Sequence, residues 1–280
     1  MIRKLFAVLC GVLLMASLAQ AQAPSFRWQK GQVLVYRTEH YTVASYVMDE
    51  NKSEVKTRVQ SLRRWQVLDV DAAGVATLQL AITALRYEAV PDGSEPTVYD
   101  SAHPEKTQPE KSSEQMRKQF SYIGQPLAVL RLDPQGKVLE VKEARSGFAS
   151  AAKFESDPAF KMVLPAAALT AGQTWERNYQ ITLEPPQGTG EKFAAVQRYN
   201  CKSLADNLAT MTMTTEVKNP PAAQDDQVPL WQMQPEGEFV FDLQAGRLQK
   251  ATLRIDKEAK LANGGTHFQS VYSEQYAGDR

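Results

Sequence analysis

Alternation of apolar and polar side chains dominates this chain and predicts long antiparallel strands. From Val33 to Tyr46 the residues are rich in Val, Thr and Tyr, with no Gly or Pro to interrupt an extended backbone. Val55, Thr57, Val59 and Ser61 then alternate with Lys56, Arg58 and Gln60 into Trp65, Val67 and Leu68, which is a strand dry on one side and wet on the other. Asp69 to Gly74 makes the next reversal. Leu78, Leu80, Ile82 and Ala84 line one face of the return strand, and the phase then flips to Leu85, Tyr87 and Ala89. A one-residue shift of that kind predicts a β-bulge or strong bend near Ala84.

Pro91 to Pro109 reads as a loop. Ser112 followed by Gln115 gives a helix-start box, with Met116, Phe120 and Ile123 as an apolar stripe that ends near Gly124. Leu127–Leu132 and Val138–Val141 flank the hairpin signal Asp133-Pro134-Gln135-Gly136. Ala144 to Phe160 predicts one or two short helices, limited by Gly147 and Pro158, with Phe148, Ala151 and Phe154 toward one side.

Leu164 to Trp175 is a joint: Pro165 ends helical hydrogen bonding, and Gly172 permits the turn that launches the strand Trp175–Leu183. The earlier launch at Gly31-Gln32 echoes Gly172-Gln173. Strands follow at Phe193–Cys201, Leu208–Val217, Glu238–Asp242, Leu248–Ile255 and Thr266–Tyr276, with Asn219 to Pro229 as a loop and Asn263-Gly264-Gly265 as the last hairpin. Phe268, Tyr272 and Tyr276 share strand parity. The expected fold is therefore mainly β, a β-rich α+β arrangement of strongly curved antiparallel sheets. Two similar halves, 22–163 and 164–280, would pack as one globular unit with a few short helices covering or linking them.

Composition adds a compartment. Arg3 and Lys4, the apolar run Leu5 to Leu18 and the small-x-small site Ala19-Gln20-Ala21 read as a secretion signal, residues 1–21. The run is too short to span a bilayer comfortably, so no transmembrane segment is expected after cleavage, and the product is expected in the periplasm or outside the cell. Cys10 lies wrongly for lipid attachment, since Leu9 precedes it and the apolar run continues past it. Cys201 is then the only cysteine of the exported chain, which excludes an internal disulfide and favours burial. The whole chain carries 32 basic and 32 acidic residues, which removes the electrostatic case for nucleic acid.

Motifs for chemistry are sparse. Asp69-x-Asp71 with Gly74 lacks the carboxylate that a calcium loop needs, because Leu80 stands in its place. Asp100, Ser101 and His103 hold the residue types of a hydrolytic triad, but adjacency in sequence is not triad geometry and no Gly-x-Ser-x-Gly elbow occurs. Asp100 and Ser101 are expected to hydrogen-bond their own loop. Gly188-x-Gly190 lacks the helix and lysine of a phosphate cradle. The three histidines, His40, His103 and His267, show no metal-ligand spacing. No cofactor and no catalytic residue is expected.

Val98-Tyr99-Asp100-Ser101, the Leu164-Pro165 to Gly172-Gln173-Thr174-Trp175 joint and Gly237 to Asp242 with Gly246 resemble a family of secreted bacterial β-rich proteins classed only as a domain of unknown function. The resemblance implies export and a β-rich fold, and supplies no catalytic residue. In architecture the pattern is also similar to periplasmic lipoprotein carriers, whose curved sheets cradle acyl chains. The expected role is binding of an apolar small molecule, a lipid or an envelope protein, with Trp65, Tyr87, Met211, Met213 and Trp231 as a possible apolar wall. A structural or partner-interaction protein without a cavity, and an unrecognised hydrolase, are the alternatives.

Overall fold

The computed structural model describes residues 23–48, 51–107, 114–145, 150–261 and 264–279. The secretion signal, the turn residues Asp49 and Glu50, Ser112, Gly147, Phe148 and Asn263 lie outside the described residues.

Twelve antiparallel strands form one sheet in the order β6-β5-β3-β2-β1-β12-β11-β10-β9-β8-β7, with β4 paired to β3 beside this path. The strands are β1 Val33–Met48, β2 Asn51–Val70, β3 Ala76–Pro91, β4 Thr97–Asp100, β5 Pro126–Leu132, β6 Val138–Ala144, β7 Thr174–Leu183, β8 Glu191–Ala205, β9 Leu208–Val217, β10 Glu236–Asp242, β11 Arg247–Leu261 and β12 Gly264–Asp279. Hairpins run outward in both directions from the pairing of β1 with β12, so the first and last strands share the middle of the sheet.

The expected phase change is a bulge. Leu62 pairs with Ala84 but Arg63 pairs with Ile82, leaving Thr83 as the extra residue. Leu78 and Leu80 before it and Leu85 and Tyr87 after it can thereby serve one face.

Among the described residues three short α-helices accompany the sheet, α1 Glu114–Phe120, α2 Ala151–Ser156 and α3 Gln224–Trp231, with a single 3-10 turn at Pro104–Lys106. The Ser150 side chain caps α2 by accepting from Lys153 N. Two segments read as loop are ordered elements. Thr97–Asp100 pairs with Arg86–Ala89 as a strand, its Val98-Tyr99 finding a partner that the surrounding Pro, Asp and Ser obscure. Gln224–Trp231 forms α3 despite Pro229, with Asp225 and Asp226 favourably placed in its first turn and Leu230 and Trp231 buried at its end.

The sheet stays open, with β6 and β7 as its edges. Both edges adjoin α2, so the sheet bends until they face each other across that helix. The predicted helical span ends at Ser156, not Phe160, so the joint begins earlier than the sequence indicates, at Asp157, and it enters the inner face: Ala159, Phe160, Met162, Leu164 and Leu169 belong to the main core with Leu34, Tyr36, Trp65, Leu78, Leu130, Tyr199, Met211 and Phe239. Phe160 is its centre, with ring centroids 5.1 Å from Phe26, 5.4 Å from Trp28, 5.7 Å from Tyr36 and 5.2 Å from Trp65. A second apolar cluster of Tyr179, Ile181, Leu183, Ala195, Val217 and Leu230 lies where α3 meets the C-terminal strands.

Candidate binding surfaces

The predicted wall residues are not gathered around one described cavity. Trp65, Met211 and Met213 lie in the main core, where the joint fills the space above them. Tyr87 is half-buried beneath α1, its ring 6.0 Å from Phe120, which stacks on Tyr99 at 3.8 Å. Trp231 is buried at the end of α3. Cys201 is fully buried on β8, and burial pushes its thiol pKa up. It should resist iodoacetamide in the folded chain and react fully in denaturant, as read by mass spectrometry; rapid labelling without denaturant would contradict that burial.

Where the joint leaves the core, the inner face carries a network of charged groups. Arg63 donates to the Tyr272 hydroxyl at 3.1 Å, and Tyr272 donates to Glu274 Oε2 at 3.0 Å. Glu274 is 0% exposed, and its Oε1 has no partner among the described residues. Lys161 Nζ reaches both Asp157 oxygens, at 2.7 and 2.5 Å, and stands 4.8 Å from the centroid of the Tyr272 ring. Lys161 holds φ +63°, a left-handed conformation uncommon outside glycine.

These contacts set the ionisation of the group. Burial pushes the Glu274 carboxyl up, against the opposing charges of Arg63 and Lys161. Burial also works to raise Asp157, but Lys161, and behind it Arg63, outweigh it and hold that carboxyl below its ordinary value. Lys161 is lowered by burial, with Asp157 opposing. About half of the Asp157 side chain meets solvent, so the pair is screened more than a fully enclosed one. The arrangement fastens the joint to β2 and β12. Among the described residues no group of three His, Cys, Asp or Glu side chains could hold a metal.

Asp100, Ser101 and His103 serve local structure. Asp100 accepts from Ala102 N at 2.9 Å and from Arg86 at 3.0 Å, Ser101 Oγ accepts from Leu85 N at 2.8 Å, and His103 faces Glu105 at 3.2 Å. His40 Nε2 and Ser270 Oγ lie 2.7 Å apart, a spacing that suits a base and a hydroxyl nucleophile. Ser270 is only 5% exposed, however, and among the described residues no carboxylate hydrogen-bonds the other ring nitrogen of His40.

The outer face carries a trough of about 440 Å³. Two cross-strand rows form its bed. One runs Gln275, Arg37, Leu62, Ala84 and the other Ser273, Glu39, Gln60, Arg86, Asp100, while the turn at Ser101 and Ala102 makes a wall. A smaller slot of about 220 Å³ lies between β6, α2 and Arg177 of β7.

Sequence reading missed Arg37, Arg63, Asp157, Lys161 and Glu274. A signal existed for Glu274: it shares the parity of Tyr272 and Tyr276, so it is a charge on the dry side of a strand. Arg63, between Ser61 and Trp65, carries the same signal.

Comparison of the sequence finds no matching family model and no matching relative among curated proteins. Among solved structures, lipovitellin, described for its lipid–protein interactions, is similar over 90% of this chain and 26% of its own, at TM-score 0.44 and 9% identity. This chain thus spans about a quarter of the lipovitellin chain. An outer-membrane channel from Pseudomonas putida F1 matches at TM-score 0.30 and 10% identity, over 89% of this chain and 96% of its own. MucB, in its complex with MucA from Pseudomonas aeruginosa, matches at TM-score 0.14 and 11% identity, over 85% and 88% of the two chains.

Proposed function

We propose that this chain is an exported envelope protein that binds rather than catalyses, and that it docks a protein partner on the overhanging ends of its central strands. One observation carries the reading. Beyond Thr38 no residue of β1 is buried, and the first ten residues of β2 are likewise unburied. At about 3.3 Å per residue this is an overhang of about 30 Å. Of the ten large apolar side chains exposed among the described residues, five lie there: Tyr41, Tyr46, Val47, Met48 and Val55. Isolated exposed apolar residues are ordinary, but Tyr46, Met48 and Val55 share one face of the β1–β2 hairpin, with Tyr41 and Val47 on the other, and such a group marks a contact surface.

The surroundings suit a protein. Glu39 with Arg58, and Lys56 with Glu54, edge Tyr41 and Val47 with charge on the opposite face of the hairpin, as at the rim of a protein interface. A swallowed lipid would need unfilled apolar volume, and the joint occupies the inner face of the core. Export follows from the N-terminal pattern of basic start, apolar run and small-residue site.

The chain should be purified from its native envelope after mild crosslinking, beside Tyr46→Ser/Val55→Ser. Wild type should carry one dominant protein near one per chain and no stoichiometric lipid. The double variant should lose about tenfold or more of that protein, with stability changed by no more than about 1 kcal/mol for two surface sites. Stoichiometric lipid in place of a protein, undiminished partner on the variant, or a chain carrying neither would each overturn the reading.

A further inference from the structure

The outer-face trough lies away from the inner-face network, and its charges are unevenly committed. Each acid at it has a cationic partner: Glu39 bonds Arg58 and Asp100 bonds Arg86. Arg37, by contrast, makes no ion pair or hydrogen bond among the described residues, and neither does Lys250, which pairs across the sheet with Gln275 in the same row. The uncommitted charge at this trough is therefore positive.

Around Arg37 stand neutral groups that can both donate and accept. Gln275 is its partner on one side in the sheet, and Ser273 and Gln60 flank Glu39 in the adjacent row. None of the three side chains is engaged in a hydrogen bond within the described residues. Leu62 and Ala84 give the row its apolar end. The wall is held in place, because the Ser101 side chain accepts from Leu85 N while Ser101 N donates to Leu85 O at 2.9 Å. A volume of about 440 Å³ is enough for a small ligand, whose pockets run about 300–1,000 Å³.

We propose that this trough binds a small sugar acid, with its carboxylate on the Arg37 guanidinium and its hydroxyls on Gln60, Ser273 and Gln275. A guanidinium matches a carboxylate by paired hydrogen bonds. Amide and hydroxyl side chains answer vicinal hydroxyls, each of which donates and accepts. The apolar floor at Leu62 and Ala84 suits the C–H face of a sugar ring. The site stands whether or not the overhang docks a protein.

The test is calorimetric titration of the purified chain with sodium glucuronate, glucose and sodium acetate. Glucuronate should bind saturably, and glucose and acetate each at least about tenfold more weakly. Arg37→Gln should weaken glucuronate by about tenfold to a hundredfold, the loss expected of a charge-assisted hydrogen bond. Both Arg37 and Gln275 are exposed, so Gln275→Leu is a second variant expected to fold and to weaken glucuronate without removing the carboxylate contact. No saturation up to about 10 mM, where even a complex with Kd near 1 mM would be filled, overturns the proposal. So does acetate or glucose binding as well as glucuronate, or an Arg37→Gln variant that binds glucuronate like wild type.

Discussion

Phe160→Ala is expected to be the most damaging single substitution in this chain, lowering the free energy of unfolding by about 3–5 kcal/mol, the range for truncating a buried phenylalanine. The ring is fully buried and touches aromatic rings from three separate parts of the chain: Phe26 and Trp28 before the first strand, Tyr36 in β1 and Trp65 in β2. It is also how the joint grips the sheet. Tyr36 and Trp65 are anchored on hydrogen-bonded strands, and the segment of Phe26 and Trp28 is tied down where Phe26 N donates to Pro134 O and Arg27 N to Gly246 O, so the rings cannot close the space left behind and an unrelaxed cavity gives the upper part of that range. Against a typical domain stability of about 5–15 kcal/mol, the loss is a large share of the total. Urea unfolding measures it. Phe154→Ala, removing a ring at the margin of the same core, should cost visibly less. Equal costs for the two, or a Phe160 cost near 1 kcal/mol, would mean that the joint is not the centre of packing.

The importance of Phe160 shows what could and could not be read from sequence. Strand patterning was legible because period two survives wherever one face is dry, and even the bulge at Thr83 declared itself as a phase change. The joint was legible as a boundary, through Pro165 and Gly172, but not as a core element. Ala159 and Phe160 read as the end of a helical span, but α2 stops at Ser156, and they sit with Met162 in an irregular segment whose inward side chains follow no period. The two Gly-Gln steps were legible as launches, and each makes the same bonds. Gly31 N donates to Val67 O and Val67 N to Gln32 O; Gly172 N donates to Cys201 O and Cys201 N to Gln173 O. Both glycines have φ near +85°, where a side chain would be strained.

The apolar wall shows the opposite limit. Met211 and Met213 face inward as their parity indicates, but parity cannot say whether the space they face is empty or occupied. That depended on the joint, which returns from a distant part of the chain. The network around Lys161 was hidden for a similar reason: its members come from β2, the joint and β12, and no local spacing connects them.

Asp157→Ala is the second large effect, about 3 kcal/mol of destabilisation, the lower end for breaking a buried ion pair because Asp157 is partly solvated. The cost comes mainly from what is left behind: Lys161, its side chain only 11% exposed, would face burial and the charge of Arg63 with its paired carboxylate gone. Asp157→Ala/Lys161→Met should therefore recover at least half of the loss, since methionine removes the stranded charge and keeps a stem and sulfur against the Tyr272 ring. The pH dependence separates charge from packing. Asp157 has a depressed pKa in the fold, so its contribution is complete above its unfolded value and is lost as pH falls through the depressed one. Glu274 has a raised pKa, so it works the other way, its protonated form favouring the fold and its contribution declining as pH rises from the unfolded to the folded value. Measured between about pH 3 and pH 7, which brackets ordinary carboxylate ionisation, the wild-type advantage over Asp157→Ala should grow with pH. The advantage over Glu274→Gln should shrink over the same interval. A pH-independent gap in both comparisons would assign the two residues a packing role and leave the network without an ionic one.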